Sequence, residues 1–257
     1  MTDLDALLRC ACDAARAAGD AVSPWLGRAV PMRATTPGPV TKADLDAEQA
    51  ALAVIRRAFP AHAVLSEEQG LTGTDPRRWI LDPLDGTANF VRGIPWYDVS
   101  VAFETGGRVE VGVVYAPALG WLFTAVRGRG AWLNGRPIAV STHGTLEGGV
   151  VDVGFRRQDW TDPSRLACLA RLSQAGVELR SLNACALDLA FVAAGWLEAY
   201  WDVWAHPWDV AAGKVLVREA GGRVTERPLA QAPDAPMVIV GSNAGLHDAV
   251  CTAVELT

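Results

Sequence analysis

Leu4, Leu7, Leu8, Ala11, Ala15, Ala18 and Val22 recur at helical spacing up to Ser23-Pro24, so the chain opens with an amphipathic helix. A Pro/Gly-rich turn, Thr36-Pro37-Gly38-Pro39, leads to Val40-Thr41-Lys42-Ala43-Asp44. Leu45, Leu52, Ile55 and Phe59 then mark a second helix ending at Pro60, which puts Asp44 near its start. Ala63-Val64-Leu65 reads as a short strand running into Ser66-Glu67-Glu68, and Trp79-Ile80-Leu81 as another running into Asp82. Two strands thus deliver acids at their C-terminal ends. Segments 99–103, 109–115 and 121–126 lie between glycine-containing turns and predict an antiparallel meander, with a tight turn at Asn134-Gly135.

Beyond Ser141 the pattern changes. Helices around 163–175, 184–194, 208–220 and 245–254 alternate with short strands near Val150, Val177, Glu198 and Val238, and Gly221-Gly222 supplies a glycine stop. The expected organisation is an N-terminal α+β half, 1–140, and a C-terminal α/β half, 141–257. No linker is long enough to let the halves move independently, and there are no convincing internal repeats.

Composition narrows the class. The 257 residues are 50% hydrophobic and 20% charged, as in a soluble globular protein with a substantial core. A formal charge of −6 argues against general affinity for nucleic acid or acidic membranes, and it would repel a phosphorylated substrate unless bound cations reversed the sign locally. Five cysteines without a CxxC spacing suggest neither a disulfide framework nor a thiolate zinc site. The start Met-Thr-Asp-Leu-Asp carries acids where a signal peptide carries bases, and no 18-residue window is uninterruptedly apolar. A cytoplasmic protein with no membrane partner is expected.

The chemistry concentrates in Trp79-Ile80-Leu81-Asp82-Pro83-Leu84-Asp85-Gly86-Thr87-Ala88-Asn89-Phe90. Asp82 and Asp85, held close, repel each other unless a cation or a proton intervenes. Glu67 and Asp209 are further acids at element ends, and the Leu84 carbonyl is a natural backbone ligand. Oxygen donors of this kind suit Mg²⁺ or Mn²⁺, and no His or Cys cluster competes for a softer metal. A helix starting at Gly86-Thr87 would turn free N–H groups toward the same corner. Taken singly, Asp209 reads first as a helix cap, and Glu67 or Glu68 even more readily as a solvated surface acid.

Glu67-Glu68, the 82–90 motif and Trp208-Asp209-Val210-Ala211-Ala212-Gly213, with 40–44 upstream and Glu219-Ala220-Gly221-Gly222 downstream, resemble the inositol monophosphatase family in order and spacing over almost the whole chain. The resemblance implies a layered αβαβα sandwich of the inositol monophosphatase and fructose-1,6-bisphosphatase type, usually homodimeric. It further implies two or three Mg²⁺ ions: Glu67, Asp82 and the Leu84 carbonyl for the first, Asp82, Asp85 and Asp209 for the second, and a weaker third through Glu67 and waters. Asp44 would partner the Thr87 hydroxyl, and the N–H groups of Gly86 and Thr87 would take phosphate oxygens.

The implied activity is lithium-sensitive hydrolysis of a small phosphorylated cyclitol or sugar. Glu67 and the Thr87/Asp44 pair would orient and deprotonate a metal-activated water. Inositol-1-phosphate leads, with fructose-1,6-bisphosphate, histidinol phosphate and 3′-phosphoadenosine 5′-phosphate as alternatives. A silent interaction protein on the same fold is the contrasting expectation, since some bacterial relatives also touch transcription machinery. The complete acid set argues against silence.

Substrate contacts implied by the resemblance are Asp85 and an acid seven residues before Asp209, here Asp202, where Glu is more usual. Segment 180–188 stands where relatives read R-x-x-G-S-A-A-L-D, so Asn183 and Cys185 depart from the pattern and would lie against the substrate. Arg156, in Gly154-Phe155-Arg156-Arg157, would either grip a second anionic group or be a solvated surface residue. Cys185 has no nearby His in sequence and reads as a small buried residue rather than a nucleophile. His206 reads as structural, while Trp201 and Trp204 are candidates for the pocket wall.

Overall fold

A computed structural model describes residues 3–29, 31–34 and 39–256; the turn expected at 36–38 lies outside them. The helices are α1 (Leu4–Val22), α2 (Lys42–Ala58), α3 (Thr87–Val91), α4 (Pro163–Gln174), α5 (Cys185–Ala193), α6 (Pro207–Glu219) and α7 (His247–Ala253). A small ribbon pairs β1 (Pro31–Ala34) with β2 (Pro39–Thr41). The first large sheet contains β3 (Ala63–Ser66), β4 (Gly70–Thr72), β5 (Arg78–Asp85), β6 (Asp98–Thr105), β7 (Arg108–Ala116), β8 (Trp121–Val126), β9 (Gly130–Leu133) and β10 (Arg136–Ile138). The second contains β11 (Val150–Gly154), β12 (Glu178–Arg180), β13 (Ala199–Ala205), β14 (Arg223–Pro228) and β15 (Met237–Ser242).

Spatial order is β10-β9-β8-β7-β6-β5-β3-β4 in the first sheet and β12-β11-β13-β15-β14 in the second. Only β3 and β5 run parallel in the first; β4 folds back on β3, and β6 to β10 form the predicted meander, closed by a turn in which Asn134 (φ 50°) and Gly135 (φ 76°) both take the left-handed conformation. α1 and α2 begin where their caps dictate. The Asp3 carboxylate accepts from the N–H groups of Asp5 and Ala6 at the head of α1, and Asp44 accepts from the Thr41 N–H at the head of α2.

Alternation along the strands sorts side chains into three cores. Trp79, Leu81, Val99, Val101 and Phe103 point to the face covered by Leu7, Ala11, Ala15, Leu52 and Ile55 of α1 and α2. Ile80, Ala102 and Val114 point the other way, onto Leu187, Leu189, Val215 and Leu216 of α5 and α6. Those two helices also cover Tyr200 and Ile239 of the second sheet. The outer face of that sheet, with Val151, Val153, Trp201 and Val240, is closed by Leu172 of α4 and Val250 of α7. The layers are therefore αβαβα. At Gly112 an added Cβ would sit 2.8 Å from the Ala212 carbonyl and closer still to the Val215 side chain, so glycine is what lets α6 lie tight on β7.

Three local expectations change. The strand expected to stop before Asp82 continues to Asp85, because a bulge absorbs Pro83, which has no N–H to give the ladder. β14 follows the glycine stop at 221–222 with no strong alternation to announce it. The β1–β2 ribbon was not foreseen. Between the sheets, β10 ends at Ile138 and β11 begins at Val150. No helix among the described residues is long and apolar enough to cross a membrane.

Candidate active site

Two residues apart in a strand means one face, and three apart means opposite faces. Asp82 and Asp85 should therefore diverge. The register shows why they do not: Asp82 pairs with Ser100 and Asp85 with Asp98, so three steps on β5 match two on β6. This β-bulge moves Leu84 to the outer core beside Leu81 and leaves both carboxylates on the inner face.

Both open into a cleft of about 430 Å³, whose lining includes Glu67, Leu84, Gly86, Thr87, Arg156, Asn183, Cys185, Asp202 and Asp209. Every metal-, phosphate- and substrate-contact residue expected from the sequence borders it, while Asp44 and the two candidate wall tryptophans do not. That acid lies one shell back, with Oδ1 accepting from the Thr87 hydroxyl at 3.2 Å and Oδ2 from the Thr41 N–H and hydroxyl. The Thr87 hydroxyl also lies 2.9 Å from the Leu84 carbonyl, so its one proton serves one acceptor at a time.

Gly86 turns the chain from β5 into α3 with φ 83°, and a Cβ there would come within 2.9 Å of the Trp96 carbonyl. Only glycine makes that turn freely. Across the cleft the acids anchor helix starts: Asp85 Oδ2 accepts from the Ala186 N–H of α5 at 2.7 Å, and Asp209 Oδ2 from the His206 N–H at 2.8 Å. The cap reading of Asp209 is thus correct but incomplete, since the same carboxylate also borders the cleft.

Burial and mutual repulsion raise the acids together. Burial first, then the Asp209 charge, push Asp85 up to about 7, against the Ala186 N–H that favours its charged form. Burial holds Asp209 at about 6. Glu67 is driven well above the usual carboxylate range by burial, Asp209 and Glu68, and Asp82 by burial, Glu67 and Asp85. Beneath them lies an acid that sequence reading missed: fully buried Asp98, opposite Asp85 on β6, whose carboxyl meets the Asp85 carboxyl and the Leu187 backbone N–H. It is raised by burial and by Asp85. Its only sequence signal was an acid opening an otherwise apolar strand.

Among the described residues, no three His, Cys, Asp or Glu side chains form a ready-made metal cage. Asp85 and Asp209 turn to backbone N–H groups, and Glu67 hydrogen-bonds to Asp82. The donor set still fits a hard divalent cation, because Glu67, Asp82, Asp85 and Asp209, with Asp202 opposite, share one cleft whose lining cations are Arg156 and Arg157 alone. The common upward shift of the first four acids comes first from burial and then from mutual repulsion, and a bound cation would offset both by favouring the charged forms.

The far wall is different. Asp202, 1% exposed, accepts from Arg156 Nη1 (3.2 Å), the Trp204 N–H (2.7 Å) and the Tyr200 hydroxyl (3.0 Å), with Cys185 Sγ at 3.6 Å. Arg156 also donates to the Trp204 carbonyl, so it lines the cleft from a fixed place on the far wall and is not solvated surface. Arg157 is the exposed arginine of the pair. Asn183 takes φ 59°, a conformation that glycine, the family's usual residue there, adopts without strain and that asparagine tolerates. Burial and the surrounding carboxylates lift the Cys185 thiol well above its ordinary value, as suits a packing residue. His206 stacks on Trp208 as a structural residue. Neither expected tryptophan lines the cleft: Trp201 is in the outer core and Trp204 is 42% exposed.

Known proteins resemble this chain in sequence and fold. The chain is 41% identical over 229 residues to the Nus factor SuhB of Pasteurella multocida, covering 87% of this chain and 86% of that one. To the Escherichia coli K12 Nus factor SuhB it is 42% identical over 190 residues, 73% and 71% of the two chains. The extragenic suppressor protein suhB of Bartonella henselae superimposes with a TM-score of 0.89 at 33% identity, covering 97% and 98%. The inositol monophosphatase of Anabaena does so with 0.85 at 35% identity, covering 99% and 97%. The model of the inositol monophosphatase family matches residues 3–256, and the chain belongs to that family.

Proposed function

We propose that the chain is a Mg²⁺-dependent phosphate monoester hydrolase of small cyclitol or sugar phosphates, with inositol-1-phosphate as the leading substrate. The observation that carries the reading is the convergence of Glu67, Asp82, Asp85 and Asp209 on one cleft beside the Gly86 turn and the Thr87–Asp44 pair. Glu67, Asp82, Asp85, Asp209 and the Leu84 carbonyl would hold the ions, with Mn²⁺ as a substitute. When bound, Mg²⁺ acidifies water and neutralises phosphate charge.

The chain's own groups do the rest. Thr87 Oγ, held between Asp44 and the Leu84 carbonyl, is placed to take a proton from the attacking water and relay it toward Asp44. Glu67 orients that water from the end of β3. N–H groups of Gly86 and Thr87 meet the nonbridging phosphate oxygens. Asp85 and Asp202, with Asn183 and Cys185 beside them, face the alcohol. A homodimer in the cytoplasm is part of the same reading. The test is release of inorganic phosphate from a panel of esters with Mg²⁺, with and without Li⁺. Rapid, lithium-sensitive release is expected, and no release from any ester would overturn it.

The name Nus factor carried by the relatives favours a second reading, in which this chain also acts by binding a macromolecular partner. Net charge bears only on unspecific affinity, so the expectation of no nucleic-acid partner is not carried forward. An Asp82→Asn chain that is dead on esters yet restores the growth of a cell lacking the intact chain would establish that role. Failure to restore it would reject it.

A further inference from the structure

Behind the far wall lie two acids that the proposed hydrolysis does not use. Asp152 of β11 and Asp188 of α5 are both fully buried, and their carboxyls hydrogen-bond to each other. Such a bond needs one proton between the two, since neither ionised group has one to donate. Their remaining oxygens grip one loop. Asp152 Oδ1 accepts from the Leu182 N–H at 3.0 Å, and Asp188 Oδ2 from the Ala184 N–H at 3.1 Å. These amides flank Asn183, the left-handed residue at the rim of the cleft, and Ala184 leads straight into Cys185.

A third point closes the grip. Asn89 of α3, two residues past Thr87, donates to the Leu182 carbonyl at 2.8 Å and to the Trp96 carbonyl at 3.1 Å, while Trp96 Nε1 donates to Asp188 Oδ1 at 3.1 Å. The strained loop is thereby tied to the second sheet, to α5 and to the helix that starts at the phosphate corner.

We propose that Asp152 and Asp188 are positioning residues that clamp segment 181–185 against the cleft and set which alcohol the enzyme accepts, leaving the chemical step to the acid corner. This rests on the phosphatase reading above. Removing Asp152 frees the Leu182 amide and takes away the partner that holds Asp188 on the Ala184 amide, so the rim loosens and the loss falls on binding of the alcohol half.

The test compares Asp152→Ala with Asp152→Asn, whose amide can still accept from Leu182 and donate to Asp188. Expected for Asp152→Ala is a rise of about tenfold in KM for inositol-1-phosphate, the size of one lost charge-assisted hydrogen bond. Its kcat, and its KM for the small ester p-nitrophenyl phosphate, should stay close to those of the intact chain. Amide hydrogen exchange at Leu182 and Ala184 should accelerate in Asp152→Ala and be restored in Asp152→Asn. Unchanged exchange at those amides, or an equal fall in kcat for every ester at constant KM, would overturn the clamp. If Asp152→Ala does not fold, Asp152→Asn decides alone: intact protection and KM support the clamp, and loss of either rejects it. An intact chain that hydrolyses no ester would sink the phosphatase reading, while hydrogen exchange would still judge the clamp.

Discussion

The two walls of one cleft treat buried acids in opposite ways. On the first-sheet side, Asp82, Asp85, Glu67 and Asp209 crowd one another and are left short of positive charge. On the second-sheet side, Asp202 is surrounded by an arginine, a backbone N–H, a hydroxyl and a thiol. A site meant to hold cations keeps its carboxylates under-compensated, whereas a wall meant to keep its shape satisfies them. The difference teaches that burial of an acid says little about its role until its partners are counted.

The contrast breaks most visibly by substitution in the acid corner. Asp82→Asn or Asp209→Asn should lower phosphate release by roughly 10²–10³-fold or more, as for loss of a major charge-stabilising group. Thermal melting should show a folded chain, because the isosteric amide keeps the shape. On the far wall the same logic predicts a cost in stability. Arg156→Ala strands buried Asp202 and should cost about 3 kcal/mol in urea unfolding. A loss of only tenths would mean that Asp202 is not held as the geometry indicates.

The pH dependence separates the walls again. Asp85 at about 7 and Asp209 at about 6 lie above the ordinary carboxylate value, so the fold favours their protonated forms. That contribution is fully present near and below about pH 4 and is lost as pH rises through 6 and 7. With a chelator present, the melting temperature should therefore fall between about pH 5 and about pH 8, and added Mg²⁺ should flatten or reverse the slope. A slope unaffected by Mg²⁺ would mean that the corner does not bind it.

The smallest effect belongs to the rim. Asn183→Ala should cost about 1 kcal/mol, since alanine is strained at φ 59°, and Asn183→Gly should cost less or nothing. Equal costs for both would show that the asparagine side chain, with its amide on Ser181, matters more than the backbone.

Much of this was legible without coordinates. The alternation that placed the meander, the helical spacing that placed α1, α2 and α4 to α7, and the acids at strand ends are local signals, and local signals survive in sequence. The DPLDGT string named its ligand candidates because two acids three residues apart next to a glycine turn are hard to explain otherwise. β14 escaped because an exposed edge strand such as Arg223–Pro228 has little apolar pattern to reveal it. Asp98 escaped because a single acid in a strand carries no period. The pairing of Arg156 escaped because its partner lies 46 positions away.

By itself the sequence determined the order of the main helices and strands, the family and the candidate oxygen donors, since each rests on residue types within a few positions of one another. Tertiary structure alone decided that the bulge at Pro83 brings Asp82 and Asp85 to one face. It also decided that Arg156 belongs to Asp202 and that Asp152 and Asp188 meet behind the rim. The physical reason is the same in each case: pairing between distant strands sets which side chains share a low-dielectric interior, and there the charge of one group depends on neighbours that the chain order does not reveal.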